Sequence, residues 1–406
     1  MSTPLVSFCI PTYNRSRYLD SLLYSLTEHL AGFPYPYEVF VSDNASEDDT
    51  PAIVANYAPQ LPLRYVRHES NRGGRANYQY MMANAKGRYL IYIADDDGII
   101  GHRVASVIAA MEANPDVGIA YAPWKLLDLV ADRDLGQFYQ QDRDIRIERG
   151  DYRGLLDTLL HYRIFPEIYV CRRELVQQVM PRIHEQAYYA FVHASEFVQH
   201  APVLLLHEPY YVSVTNYFAD HQRTQGGTEE AETSWDRYRG GLEYVLGRAL
   251  PQMGDVDRQG YLTRIQDMIA DRISVAVRLR LEQQRDAVET YYLAYRLKAL
   301  GRAQILPLGL EPLRAAAALS FLLNDPELNR DITEMVCLGY FEPQLREHIE
   351  KHCRHRTRFV SSPQELQALS DDILVLARGA IGPADLPAGS CARFVHDSML
   401  LQKFVG

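Results

Sequence analysis

Along the first hundred residues, short runs of apolar, β-branched and aromatic side chains alternate with stretches in which leucines and alanines recur every three or four positions. Leu5 to Ile10 is the first such run, followed by the turn Pro11-Thr-Tyr-Asn-Arg15. Ser16 then stands as N-cap of a helix that carries Leu19, Leu22, Leu23 and Leu26 on one face. The pattern repeats. Tyr37 to Ser42 predicts a second strand ending at Asp43-Asn44, and Glu47-Asp48-Asp49-Thr50-Pro51 starts a helix with acids at its positive end. Leu63 to Arg67 predicts a third strand, Asn71 to Arg75 a glycine-bearing loop, and Ala76 to Ala85 a third helix. Tyr89 to Ala94 is too short for a helix and too apolar for a half-exposed strand, so it predicts a strand buried on both faces. Strands alternating with helices specify an α/β fold with a mixed, mostly parallel sheet covered on both sides.

Three carboxylates, Asp95, Asp96 and Asp97, follow that fourth strand directly. Open α/β sheets bind ligands beyond the carboxyl ends of their strands. Adjacent carboxylates repel one another and raise their own pKa values. A divalent cation with phosphate oxygens on its far side relieves the conflict, since Mg²⁺ and Mn²⁺ favour a few carboxylates plus substrate phosphate. A solvated acidic turn is the competing reading of such a run.

Further along, Val117 to Ala122 predicts another strand, Pro123-Trp124 enters a candidate binding wall, and the polar stretch Asp128 to Arg149 reads as an exposed excursion. A helix from about Phe191 to His200 leads to a strand at Val203 to Leu206 and then Glu208-Pro209-Tyr210. After residue 228 the period becomes helical, over Glu229 to Leu250, Asp257 to Leu300 and Pro312 to Leu323, without the strict heptad of a coiled coil. The last stretch predicts strands at Met335 to Tyr340, Thr357 to Ser361, Ile373 to Ala377 and Ala392 to His396. Helices Gln344 to His352 and Pro363 to Leu369 fall between them, giving a small Rossmann-like module without a glycine fingerprint. The expected organisation is therefore an α/β domain over residues 1–228, a helical domain over 229–328 and a small α/β module over 329–406.

Composition narrows the class. A net charge of −10 argues against non-specific nucleic-acid binding. No apolar run approaches the roughly 20 residues needed to span a bilayer, and no signal peptide is visible. Five scattered cysteines without metal spacing read as reduced thiols, so the expected location is the cytoplasm, at most peripheral to the inner face of a membrane. His348, His352, Cys353 and His355 cluster on a basic helix end, where favourable dipole placement is a simpler reading than metal binding.

The segments VSFCIPTYNR, EVFVSDNASEDDT and NRGGRANYQYMMANAKGRYLIYIADDD, in that order, resemble the nucleotide-sugar half of a family 2 glycosyltransferase of the GT-A fold. The resemblance covers roughly the first 125 residues and weakens up to about residue 225. It implies an inverting transfer from a nucleoside diphosphate sugar, most simply of UDP or TDP, to an acceptor hydroxyl on a glycan, a lipid-linked saccharide or a protein, with Mn²⁺ or Mg²⁺. Pro11, Thr12 and Tyr13 would line the nucleoside pocket, and Arg15 would sit over the base or near the phosphates. Asp43 would accept the imide N–H of uracil or thymine, a helix cap before Ala45 being its competing role. Asn71, Arg72, Gly73 and Arg75 would close over the base or diphosphate, the arginines being suited to phosphate oxygens. Asp95 would contact the ribose, and Asp96 or Asp97 the metal, in either of two registers.

An inverting enzyme also needs a carboxylate to deprotonate the acceptor hydroxyl. The Glu-Asp pair that usually heads a helix in the acceptor half of the family does not occur in that region of this chain. Glu196, a helical turn from His193, is the first choice for that base, His193 the second, and Glu185 and Glu167 follow. His221 and Arg223, beside a glycine pair, are candidates to reach the diphosphate or the metal. Two alternatives stand beside this reading. A sugar nucleotidyltransferase would need glycines and a basic residue directly after the first strand, where this chain has Pro11-Thr12-Tyr13-Asn14. A non-catalytic nucleotide-sugar-binding scaffold would act through the C-terminal modules, which also offer a surface for a partner or a second copy.

Overall fold

The computed structural model describes residues 3–179, 187–220 and 231–404. They form two compact units. The first runs from the N-terminus and takes in Ser234–Ile269; the second begins at Ala270 and includes the short stretch ending at Thr233.

The first unit opens with the predicted alternation. β1 (Val6–Thr12), α1 (Ser16–His29), β2 (Tyr37–Asp43), α2 (Thr50–Tyr57), β3 (Leu63–Arg67), α3 (Gly74–Asn84) and β4 (Tyr89–Tyr92) follow one another. β5 (Gly98–Ile99), α4 (Gly101–Ala113), β6 (Ile119–Tyr121), β7 (Trp124–Asp128), β8 (Arg133–Gln137) and β9 (Ile145–Ile147) come next. Then come α5 (Tyr152–Tyr162), β10 (Tyr169–Arg172), α6 (Arg173–Val179), α7 (Tyr189–His200), β11 (Val203–Leu205), β12 (Tyr211–Asn216) and α8 (Trp235–Ala249).

Eight strands make the main sheet in the order β3-β2-β1-β4-β10-β6-β11-β9. β3, β2, β1 and β4 are mutually parallel, whereas β10 runs antiparallel to both β4 and β6. Val6, Phe8, Cys9, Ile10, Leu90 and Ile91 are fully buried, which is why β1 and β4 carry no alternation of polar residues. Glu38 brings a charge into this layer. Glu38 accepts hydrogen bonds from Ser7 Oγ, Arg64 Nε and the Lys86 N–H, tying three neighbouring segments together. Burial alone would raise its pKa; these donors overcome that and hold it below the usual carboxylate range. A second sheet, β5-β12-β7-β8, lies in the same unit. The excursion expected over Asp128 to Arg149 thus contributes two strands, because Ile147 is buried where β9 pairs with β11.

α8, which the sequence analysis assigns to a helical domain of its own, belongs to the first unit. It lies against α7, and a Cβ on Gly241 would come within 3.0 Å of Phe191 Cβ and of the Tyr188 carbonyl oxygen. α9 (Asp255–Glu282) is shared by the two units along its length. In the second unit α10 (Ala287–Ala299) and α11 (Leu310–Asn324) follow. The single helix expected over Asp257 to Leu300 is interrupted at Gln284, whose φ is +53°, and Asp286 caps the next helix through the Glu289 N–H. β13 (Glu334–Leu338), α12 (Pro343–His352), β14 (Arg356–Val360), β15 (Ile373–Ala377), β16 (Arg393–His396) and α13 (Asp397–Gln402) complete the unit. Its four strands are all parallel, in the order β14-β13-β15-β16, and Pro363–Glu365 is a single 3₁₀ turn where a helix is expected. Among the described residues no helix is long and apolar enough to cross a membrane.

Candidate active site

A cavity of about 900 Å³ opens beyond the carboxyl ends of β2, β1 and β4. The strand order fixes which residues meet there. The residue after β2 supplies Asn44; β1 and its turn supply Pro11, Thr12, Tyr13 and Arg15; β4 and its extension supply Tyr92, Ala94 and Asp95. Because β10 is antiparallel to β4, its beginning lies at this same edge and brings Glu167 and Tyr169. α3 and the loop before it add Asn71, Gly73, Gly74, Arg75, Asn77 and Tyr78, while α7 adds Tyr189 and α8 adds Arg237.

The Asn71–Arg75 loop is shaped by amide side chains. Asn44 Nδ2 donates to Asn71 Oδ1 at 2.7 Å, and Asn44 Oδ1 accepts the Arg72 N–H at 2.9 Å. Asn71 Oδ1 also takes the Gly73 N–H at 2.8 Å. Gly73 has φ +81°, a conformation that side-chain-bearing residues rarely adopt, which explains the glycine. Arg75 lines the cavity, whereas the Arg72 guanidinium lies 6.0 Å over the Tyr80 ring and is not among the lining residues.

Each carboxylate of the acidic run has its own setting. Asp95 is 3% exposed, accepts Thr12 Oγ1 at 2.7 Å and Arg15 Nη1 at 2.9 Å, and is the one that lines the cavity. Asp96 lies 3.5 Å from the same Arg15 nitrogen. Asp97 turns to the second sheet, accepting the Tyr211 hydroxyl at 2.8 Å and the Val214 N–H at 2.9 Å. Burial pushes its pKa up to about 6 against these donors, and the Asp95 charge adds to the rise. Among the described residues no three His, Cys, Asp or Glu side chains converge on a metal site. Asp95 and Asp96 fit an ion of the Mg²⁺ or Mn²⁺ kind, which takes one or two carboxylates and completes its shell with substrate phosphate and water.

Asp43 is fully buried at the end of β2 and is not among the lining residues. It accepts the Ser46 N–H at 2.8 Å and the Tyr65 hydroxyl at 2.5 Å, with Arg67 Nε at 3.7 Å. The bond to Ser46 spans Ala45, whose φ of +69° is costly for an L-residue. Asp43 therefore holds a strained turn directly beside Asn44.

Glu196 and His193 share a buried stretch of α7 and do not line the cavity. Glu196 is 3% exposed and accepts Tyr244 Oη at 2.6 Å and Arg248 Nη1 at 2.9 Å, both from α8. The turn between the two residues does put them on neighbouring positions, but that part of α7 is packed on the protein interior. His193 is 2% exposed, and neither ring nitrogen has a hydrogen-bond partner. Burial pulls its pKa down to about 4, the Glu196 charge opposing the fall. The unfolded chain binds that proton near pH 6.5 and the folded chain does not, so stability falls as pH drops from 7 toward 4. Between pH 7 and pH 5 this residue is expected to cost about 2 kcal/mol, at 1.36 kcal/mol per pH unit. Urea titrations at the two pH values should show the loss in the wild type and a smaller one in His193→Leu; equal losses would remove His193 as the cause.

Glu167, by contrast, lines the cavity, where the Tyr188 hydroxyl donates to it. His221, Arg223 and Glu185 lie outside the described residues. Several lining residues escape the sequence reading. Asn44 is adjacent to Asp43, and Tyr92 shares a strand face with Ala94, so local signals existed for both. Tyr78, Tyr169, Tyr189 and Arg237 reach the cavity only through the fold.

The sequence model described as glycosyl transferase family 2 matches residues 7–165, which carry the β2–β1–β4 side of the cavity. These residues belong to glycosyl transferase family 2. The family 2 segment and its sheet make the first unit a GT-A fold. A glycosyltransferase of Haemophilus influenzae is 27% identical over 121 residues, covering 30% of this chain and 39% of its own. The abequosyltransferase RfbV of Salmonella typhimurium is 33% identical over 117 residues, 28% of this chain and 34% of its own. The chain thus spans well under half the length of either relative. Among solved structures, residues 1–349 of Staphylococcus aureus TarS superpose with a TM-score of 0.46 at 16% identity, over 77% of this chain and 90% of that one.

Proposed function

We propose that this chain is an inverting glycosyltransferase that moves a sugar from a nucleoside diphosphate sugar, of UDP or TDP, to a hydroxyl of a glycan, lipid-linked saccharide or protein acceptor. The observation that carries the reading is the cavity itself: Asp95 and Arg15 stand at the end of β4 and β1, with the carboxylate Glu167 lining the same space from the β10 side. Membership of residues 7–165 in the family supports the donor class.

In this reading Pro11, Thr12, Tyr13, Asn44 and Asn71 receive the nucleoside, and Arg15 and Arg75 meet the diphosphate, where charge-assisted bonds to phosphate are strong. Asp95 and Asp96 would hold a divalent cation together with the donor's phosphates; when bound it offsets negative charge on the leaving diphosphate. Glu167 takes the proton of the acceptor hydroxyl as its oxygen forms a bond to the anomeric carbon. The bond from that carbon to the diphosphate oxygen breaks, and the nucleoside diphosphate leaves with the electron pair. One displacement, with no covalent glycosyl-enzyme, inverts the anomeric centre.

Thermal melts with UDP, TDP, GDP and CDP, each with and without Mn²⁺, test the reading, since a ligand that binds only the folded state raises Tm. UDP or TDP with Mn²⁺ should give the largest rise; no rise with any nucleotide would overturn it. Asp43→Ala should weaken UDP, TDP and GDP alike, because it loosens the turn that carries Asn44 without removing a contact to the base. That variant also loses the cap over Ala45, so the ligand-induced shift is compared and not Tm itself. A loss confined to UDP and TDP would instead put Asp43 on the base.

A further inference from the structure

Tyr78 on α3, Tyr92 on β4 and Tyr169 on β10 line the cavity from three neighbouring elements. Two of the three hydroxyls are spent on each other, since Tyr78 Oη and Tyr169 Oη share a hydrogen bond. Tyr92 differs. It is the last residue of β4, opposite Cys9 in the parallel pairing with β1, and its ring stands edge-on to that of Tyr78 with centroids 5.4 Å apart. Its hydroxyl has no hydrogen-bond partner among the described residues. The hydroxyls of Tyr121 and Tyr210 are also unpartnered, but those are sealed inside the protein, whereas Tyr92 borders the open cavity. Burial pushes the Tyr92 hydroxyl well above its ordinary pKa, and the charges of Asp95 and Asp97 add to the rise against Arg15. The group therefore keeps its proton near neutral pH and is able to donate it to a hydrogen bond.

Resting on the function proposed above, we infer that the Tyr92 hydroxyl recognises the transferred sugar, donating a hydrogen bond to an oxygen substituent of its ring, a hydroxyl or an acylamino carbonyl. The strand order leads there. β4 lies between β1, whose turn carries Arg15, and β10, before whose first residue Glu167 stands. In the proposed transfer the leaving diphosphate is held beside Arg15 and Asp95, and the proton acceptor is Glu167. The sugar that passes between them must therefore cross the end of β4. There Tyr92 presents a hydroxyl, while Ala94, two residues on, offers only a methyl group. A sugar that covers this hydroxyl without an oxygen to accept it leaves a polar group unpaired, and that penalty is the source of selectivity. Tyr92 touches none of the bonds that form or break in the transfer, so its part is binding and selection of the donor.

The test uses the full chain and calorimetric titration with Mg²⁺ present. UDP and TDP are titrated first, and the tighter of the two is then compared with its own glucose and N-acetylglucosamine derivatives, in the wild type and in Tyr92→Phe. The phenyl ring keeps the packing on Tyr78 and lacks only the hydroxyl, and unchanged affinity for the bare diphosphate shows that the variant is folded. Tyr92→Phe should weaken the better-bound sugar nucleotide by about tenfold, since a sugar oxygen loses its partner, while the bare diphosphate binds as before. A larger loss with the glucose derivative points to a ring hydroxyl, and a larger loss with the N-acetylglucosamine derivative to the acylamino carbonyl. Unchanged sugar-nucleotide affinity in Tyr92→Phe overturns the inference. So does an equal loss for the bare diphosphate, which would assign the residue to the nucleotide, and so does a wild type that binds the diphosphate but neither sugar derivative. If the wild type binds neither UDP nor TDP, the proposed function falls, and this inference with it, before any sugar nucleotide is added.

Discussion

Glu167→Gln is expected to lower sugar transfer by roughly 10²–10⁴-fold, the usual contribution of a positioned general base, while nucleoside diphosphate affinity stays near that of the wild type. The amide keeps the size of the carboxylate and accepts the Tyr188 hydroxyl, so the wall formed by Tyr188, Phe165 and Tyr238 stays in register. It cannot accept the acceptor's proton. Initial rates at saturating donor, read beside calorimetry with UDP and Mn²⁺, separate the two effects. Near-normal transfer would move the base away from Glu167.

The second large effect concerns stability. Glu196→Ala is expected to cost about 1.5–3 kcal/mol, the range for hydrogen bonds to a charged group, since the Arg248 side chain left behind is 27% exposed. Glu196 is 3% exposed and holds both Arg248 and Tyr244, and Arg248 is further bound to Tyr152 Oη and to Gln199 Oε1 at 2.7 Å. Removing the carboxylate leaves that cation without its main counter-charge where α7 meets α8. Chemical denaturation should show the loss, and per folded molecule the transfer rate should change little. A variant as stable as the wild type but inactive would return Glu196 to the role of base that its place on α7 suggests.

How much was legible in the sequence follows from how local each signal is. β1 to β4 and their helices announce themselves because a buried parallel strand is an unbroken apolar run and each helix carries its own 3.6-residue stripe, as Leu19, Leu22, Leu23 and Leu26 do. Asp95 and Arg15 were readable for the same reason, since both follow such strands. β10 was not, because Tyr169–Arg172 is four residues long and takes its meaning from pairing with β4, nearly eighty residues earlier. Glu167 went with it into second rank. Spacing alone favoured Glu196 and His193, and spacing cannot tell a helix face turned to a cleft from one turned to a neighbouring helix. Nothing near Arg237 in the chain marks it; only α8 lying on α7 does. The break at Gln284 lacks glycine and proline, so the helical period ran straight through it.

The antiparallel seam between β4 and β10 has a consequence for how such a protein can change over generations. On one side every lining residue is drawn from positions 11 to 95, and on the other from position 167 onward. No lining residue serves both sides. A substitution that alters what enters from the β10 side therefore needs no compensating change around Asn44, Thr12 or Asp95, and the reverse holds too. Apart from Tyr78 and Tyr169, whose hydroxyls bond to each other across the border, the two halves of the cavity can drift, be selected, or be recombined as separate heritable parts.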